Sequence, residues 1–167
     1  SVTRIMPSPV GHALAGLAIG WAAEAITRTS ERKPETIDAS GRPARVRLGY
    51  PLLGVVLAVA PDLDILLDSH RTVTHSMGGA LLAGAVLWVA SRLAGRRWWV
   101  LSATCVAAIG SHAVADWLGR DSSAPTGVML LWPFSREFYA SGLDVFAEIS
   151  RRYWNPDEFV FGNLRSV

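Results

Sequence analysis

Four apolar segments, 9–27, 48–67, 76–93 and 98–118, divide this chain, and every one of its four histidines lies within or beside an end of one of them. Each segment is close to the ~20 apolar residues that cross a bilayer as a helix. The segments are apolar on most faces, which predicts helices that are enclosed or lipid-facing rather than one-sided surface helices. The short link Ala94-Gly-Arg-Arg97 makes the third and fourth antiparallel neighbours. The expected fold is all-α: an antiparallel up-down four-helix bundle, transmembrane, formed by a single domain over residues 1–167.

Composition supports that class and excludes others. Half of the 167 residues are hydrophobic, 18% are charged, and mean hydropathy is +0.28. A net charge of +2 gives no dense basic face, so no nucleic-acid partner is expected. Cys105 is the single cysteine, which excludes an intrachain disulfide and a cysteine-based zinc site; its neighbours mark it as a packing residue. No basic stretch followed by a short apolar core and a cleavage motif precedes Met6, so a removable signal peptide is not expected. Residues 28–47 form a mobile basic loop with Pro34 and Pro43. In the tail, 119–167, Ser141-Gly-Leu-Asp144 resembles a helix start. Leu143, Phe146, Ile149 and Tyr153 then recur at the spacing of a C-terminal amphipathic helix.

Following the alternation of the segments places the ionisable residues. His12 lies in the first turn of the first segment, Asp62 and Asp64 near the end of the second, and His70 and His75 in the turn into the third. His112 and Asp116 close the fourth. An up-down-up-down path brings all seven to one end. Arg28, Arg32, Lys33, Arg42, Arg45, Arg47, Arg92, Arg96 and Arg97 fall at the other. Under the positive-inside rule the basic end is cytoplasmic, and the histidine end faces the non-cytoplasmic side of the membrane.

Taken one at a time, these residues have plain readings. A lone His12 is a hydrogen-bonded interior histidine, and His112 with Asp116 is a helix pair worth a few tenths of a kcal/mol. Asp68 is solvated or a cap, Arg71 a counter-ion, and Thr74 and Ser76 are caps of the third helix. Together they point to a metal site, because ionisable groups in apolar segments are costly and mark function. His112 and Asp116 share a helix face and can hold one ion, or let the carboxylate bridge two. Histidine and carboxylate donors suit zinc, and also manganese or iron. Asp62 and Asp64 are alternate residues: an extended turn would align them, whereas a helix would make them diverge, one as ligand and the other orienting a histidine. Arg71 is placed to clamp a phosphate oxygen.

Met6-Pro-Ser-Pro-Val-Gly-His12, Pro61-Asp-Leu-Asp64, His70-Arg71, Thr74-His75-Ser76, Ser111-His112 with Asp116, and Trp132-Pro-Phe-Ser135 resemble the YdjM-like family. Its members are inner-membrane proteins described as metal-dependent hydrolases, distantly similar to zinc-dependent phospholipase C and single-strand nucleases. The resemblance implies that His12, Asp62, one of His70 and His75, His112 and Asp116 are metal ligands, with Asp116 as the bridge. The chain departs from the wider superfamily: it lacks the amino-terminal tryptophan that ligates zinc there and a second histidine-rich helix with a glutamate. One or two ions are therefore expected rather than three.

The expected function is a membrane-embedded hydrolase of a phosphoester, such as a small molecule or a lipid head group, using metal-activated water. Asp64 or a non-ligating histidine, His70, would be the general base, and Arg71 would bind phosphate. The alternatives are a non-enzymatic metal-containing membrane protein that binds a protein partner, and a soluble helical metalloprotein.

Overall fold

The structure, a computed structural model, describes residues 9–31, 49–67, 71–95, 98–119 and 125–145. Among them are four α-helices and no strand; Val128 and Tyr139 form one isolated antiparallel bridge. Helix α1 spans Pro9–Glu31, α2 Gly49–Val59, α3 Met77–Leu93 and α4 Trp99–Leu118.

Two boundaries differ from expectation. Helix α1 runs on beyond residue 27 because its last turns remain well bonded: Thr27 Oγ1 donates to the Ala23 carbonyl and Arg28 pairs with Glu24 at 3.2 Å. The second apolar segment is not one helix. Its α-helical part stops at Val59, and Ala60–Leu67 continues as a 3-10 helix. Pro61 explains the change, since it has no N–H to bond the Leu57 carbonyl and its ring would press on that carbonyl. A second short 3-10 turn, Val73–His75, leads into α3. Ser76 caps α3 by accepting from the Gly79 N–H at 2.8 Å while its own hydroxyl donates to the Val73 carbonyl at 2.6 Å.

Helices α1 and α2 pack antiparallel along a seam of small residues. A β-carbon on Gly16 would overlap the Gly54 carbonyl, and one on Gly20 would overlap the Tyr50 carbonyl. The two backbones touch because no side chain separates them. Helices α3 and α4 also pair antiparallel, with Gly84 against Val106 and Gly110 near Met77 and Ala80. Helix α4 packs on all three others, whereas α3 rests chiefly on α4. The interior is filled by small residues such as Ala58, Ala80, Ala108 and Ala113. Its largest fully buried side chains are those of His12, His75 and His112. Large apolar groups lie outside instead: Trp21, Leu52, Val56, Leu81, Val86 and Trp88 are all more than half exposed. Small residues inside and bulky apolar ones outside is the arrangement of helices packed in lipid. Pro9–Thr29 and Trp99–Leu118, 21 and 20 residues, have the length and composition to span a membrane.

The segment 125–145 folds back over the start of α3. Met129 N–H donates to the Arg71 carbonyl at 3.0 Å, and Met77 N–H to the Leu130 carbonyl at 3.0 Å. Gly78 leaves room for the Trp132 carbonyl, and the Trp132–Pro133 peptide is cis. The expected tail helix does not begin at Ser141. Its hydroxyl accepts from Leu143 N–H at 3.1 Å in a local turn, and Ser141 N–H and Val145 N–H bond the Trp117 and Leu118 carbonyls at the end of α4. Residues 146–167, where that helix would continue, lie outside the described residues, as do 32–48 of the basic loop.

Candidate metal centre

The switch to a 3-10 helix at Ala60 decides how the two aspartates face. In a helix of three residues per turn, positions two apart point about 120° away from each other. Asp62 and Asp64 accordingly diverge and meet opposite nitrogens of one ring. Asp64 Oδ2 lies 3.1 Å from His75 Nδ1, and Asp62 Oδ1 lies 3.7 Å from His75 Nε2. Asp62 Oδ1 is also 3.7 Å from His112 Nε2.

Helices α1 and α4 complete the cluster. Asp116 divides its carboxylate: Oδ1 is 3.2 Å from His12 Nε2, and Oδ2 is 3.3 Å from Nε2 of both His75 and His112. The rings of His12 and His112 stack at 3.9 Å, and His75 meets His112 edge-on at 4.6 Å. All three histidines are at most 1% exposed and Asp116 is 5% exposed; the Asp62 side chain, at 21%, is the one that reaches the surface.

Neighbouring groups fix two of the rings. His112 Nδ1 lies 2.7 Å from the Ala58 carbonyl. A carbonyl only accepts, so Nδ1 carries a proton and Nε2 faces the cluster. Asp64 holds His75 from behind, and Thr74 Oγ1 in turn donates to Asp64 Oδ2 while lying 3.2 Å from His75 Nδ1. Burial alone would lower the His75 pKa, but the carboxylates of Asp62 and Asp64, with Asp116 beyond them, raise it to about 9. Burial would raise the Asp62 pKa, yet His75 and His112 bring it below the ordinary carboxylate value. The centre attracts positive charge.

The donor set fits a metal ion. His12, Asp62 and His112 form one group of converging donor atoms, and His75, His112 and Asp116 another. The N···O separations of 3.2–3.7 Å around Asp62 Oδ1 and the Asp116 carboxylate mostly exceed hydrogen-bond length. They are close to the ~3.4 Å between donors placed about 2.1 Å from one tetrahedral ion. Nε2 of His12, Nε2 of His112 and both oxygens of Asp116 are buried with no hydrogen-bond partner among the described residues. Buried polar atoms left so are costly, and a shared cation satisfies them.

Of the residues singled out in the sequence, His12, Asp62, His75, His112 and Asp116 therefore meet, with Asp64 directly behind His75. Arg71 is 6% exposed, adopts φ of 67°, and donates from Nη1 to the Pro125 carbonyl at 3.2 Å. His70 and Asp68 lie outside the described residues. Sequence reasoning missed two groups. Thr74, expected to cap α3, instead supports Asp64; its place beside His75 was the only signal. The Ala58 carbonyl is backbone and left none.

A family model described as YdjM inner membrane protein matches residues 6–155, a stretch that contains all the described residues. No curated protein and no solved structure matches the chain.

Proposed function

The chain belongs to the YdjM inner membrane protein family, and from that premise we propose that it is a metal-dependent hydrolase of a phosphoester, embedded in the membrane as an up-down four-helix bundle. The observation that carries the reading is the convergence of three buried imidazoles on the Asp116 carboxylate at spacings that suit ligands of one ion. His12, Asp62, His75, His112 and Asp116 are the proposed ligands. One ion is favoured over two, because His112 Nε2 serves both donor groups and one imidazole nitrogen binds a single metal. Zinc suits these donors best, with manganese or iron as alternatives. When bound, such an ion supplies a Lewis acid and an activated water.

The chain's own residues have supporting tasks. The Ala58 carbonyl orients His112, and Thr74 with Asp64 orients His75. Asp64, engaged on both sides, is assigned to positioning rather than to proton transfer, which is left to His70. Arg71, held by the Pro125 carbonyl, is assigned to securing the loop before His75 instead of clamping a phosphate. Substrate, a small phosphoester or a lipid head group, approaches past Asp62, the ligand that reaches the surface. The basic residues of the opposite end direct this opening to the non-cytoplasmic side.

One observation favours a second reading. Five donors around one ion would close its coordination, as in structural sites, and the protein would then hold its metal to serve a partner rather than a reaction. The test uses full-length protein purified in detergent, with metal measured by elemental analysis and turnover measured on an activated phosphodiester. The hydrolase reading expects close to one equivalent of metal, and turnover that Asp116→Asn abolishes together with the metal. Bound metal without turnover supports the structural reading; protein without retained metal removes both.

A further inference from the structure

The other end of the α3–α4 pair holds a cleft that the metal centre does not use. It encloses about 260 Å³ and is lined by Trp88, Ser91, Arg92, Trp98 and Trp99. From Trp99 to His112 the chain climbs thirteen helical residues, about 20 Å at 1.5 Å each, so the cleft and the metal centre lie near opposite ends of α4. The three tryptophans are 43–53% exposed, in a protein whose polar interior leaves its apolar groups facing outward. Ser91 forms the floor, fully buried, with its hydroxyl donating to the Trp88 carbonyl at 2.8 Å. Arg92 is exposed and has no ion pair among the described residues.

We infer that this cleft binds the phosphodiester head group of an anionic phospholipid. Tryptophan rings concentrate at the depth of lipid head groups, where an indole can face the glycerol region and offer its N–H outward. Arg92 supplies a planar, permanently charged donor for phosphate oxygens. The volume holds a phosphate and glycerol but not acyl chains, and a path for the chains continues from it. Leu81, Ala85 and Trp88 follow one another at helical spacing on the face of α3 that carries Arg92, all of them exposed. Charge selects the lipid class. The permanent charge of Arg92 repels a head group carrying an ammonium and attracts a purely anionic one. This inference rests on the membrane reading of the chain and is independent of what the metal centre does.

The test is native mass spectrometry of the full-length protein in a neutral detergent, titrated with phosphatidylglycerol and with phosphatidylcholine. Phosphatidylglycerol should be retained in preference, and Arg92→Gln should lower that preference about fivefold, the effect of one basic residue near a lipid surface. Arg92→Lys should keep most of it. Trp98→Leu with Trp99→Leu should weaken both lipids. Arg28→Gln, an exposed change on α1, should leave retention unaltered. Equal retention of the two lipids, or the same loss in Arg28→Gln as in Arg92→Gln, overturns the site. Displacement of phosphatidylglycerol by millimolar glycerol 3-phosphate also overturns it, reassigning the cleft to a soluble phosphate. Metal content measured on the same samples should not change in Arg92→Gln, which separates this outcome from a failure of the metal centre.

Discussion

The Ala58 carbonyl accepts from His112 Nδ1 at 2.7 Å, so the last turn of α2 sets the tautomer of a ring on α4. Nε2 is thereby committed to the centre it shares with Asp116. His112→Ala should lower metal affinity by more than about 100-fold, beyond the range typical of a lost supporting bond. Competition against a chelating dye measures this, and near-unchanged affinity would exclude His112 as a ligand.

Thr74 supports the centre at one remove. Thr74→Val removes the hydroxyl bonded to Asp64 and keeps the shape of the side chain. Metal affinity should fall about 10- to 100-fold while helix content holds, and Thr74→Ser should restore it. An equal loss in both variants, read by the same dye competition, would assign the effect to packing.

Proton and metal compete for His75. Its pKa in the metal-free protein is raised to about 9, so between pH 6 and 9 the ring must lose a proton to become a ligand. Apparent metal affinity should rise with pH by up to about tenfold per unit and level off near 9. Calorimetry in buffers of different ionisation enthalpy should show about one proton released per ion at pH 7.5. The stability of the metal-free protein runs the other way. Because the folded pKa lies above the free value of 6.5, this contribution is complete below about pH 6.5 and is lost as pH rises through about 9. A metal affinity independent of pH over that range would show that His75 is not a ligand.

The glycine seam between α1 and α2 should tolerate no added carbon. Gly54→Val places a side chain against the Gly16 carbonyl, and overpacking of this kind costs about 1–3 kcal/mol or more. Melting temperature in detergent should fall, and metal should be lost with it, because α1 carries His12. Gly49→Ala meets nothing within 4 Å and should melt like the unsubstituted protein.

The meeting of His12, His75, His112 and Asp116 was legible because it depends only on which end of each apolar segment a residue occupies. Pro61 was equally visible, but the 3-10 path after it was not, and that path separates the roles of Asp62 and Asp64. The tail gave a misleading signal at Ser141, whose hydroxyl closes a local turn as readily as it caps a helix. That α4, and not a square of equal neighbours, holds the helices together could not be read from one chain, because apolar segments do not state their partners.

The fold-back of residues 125–139 grips the chain on both sides of His75, at the Arg71 carbonyl and at the Met77 N–H. Phe134, 97% exposed, stands on the outer side of that clasp. The residues flanking a buried imidazole are thus tied to a surface segment, so the chain around the centre is held from outside the helices as well as from within them.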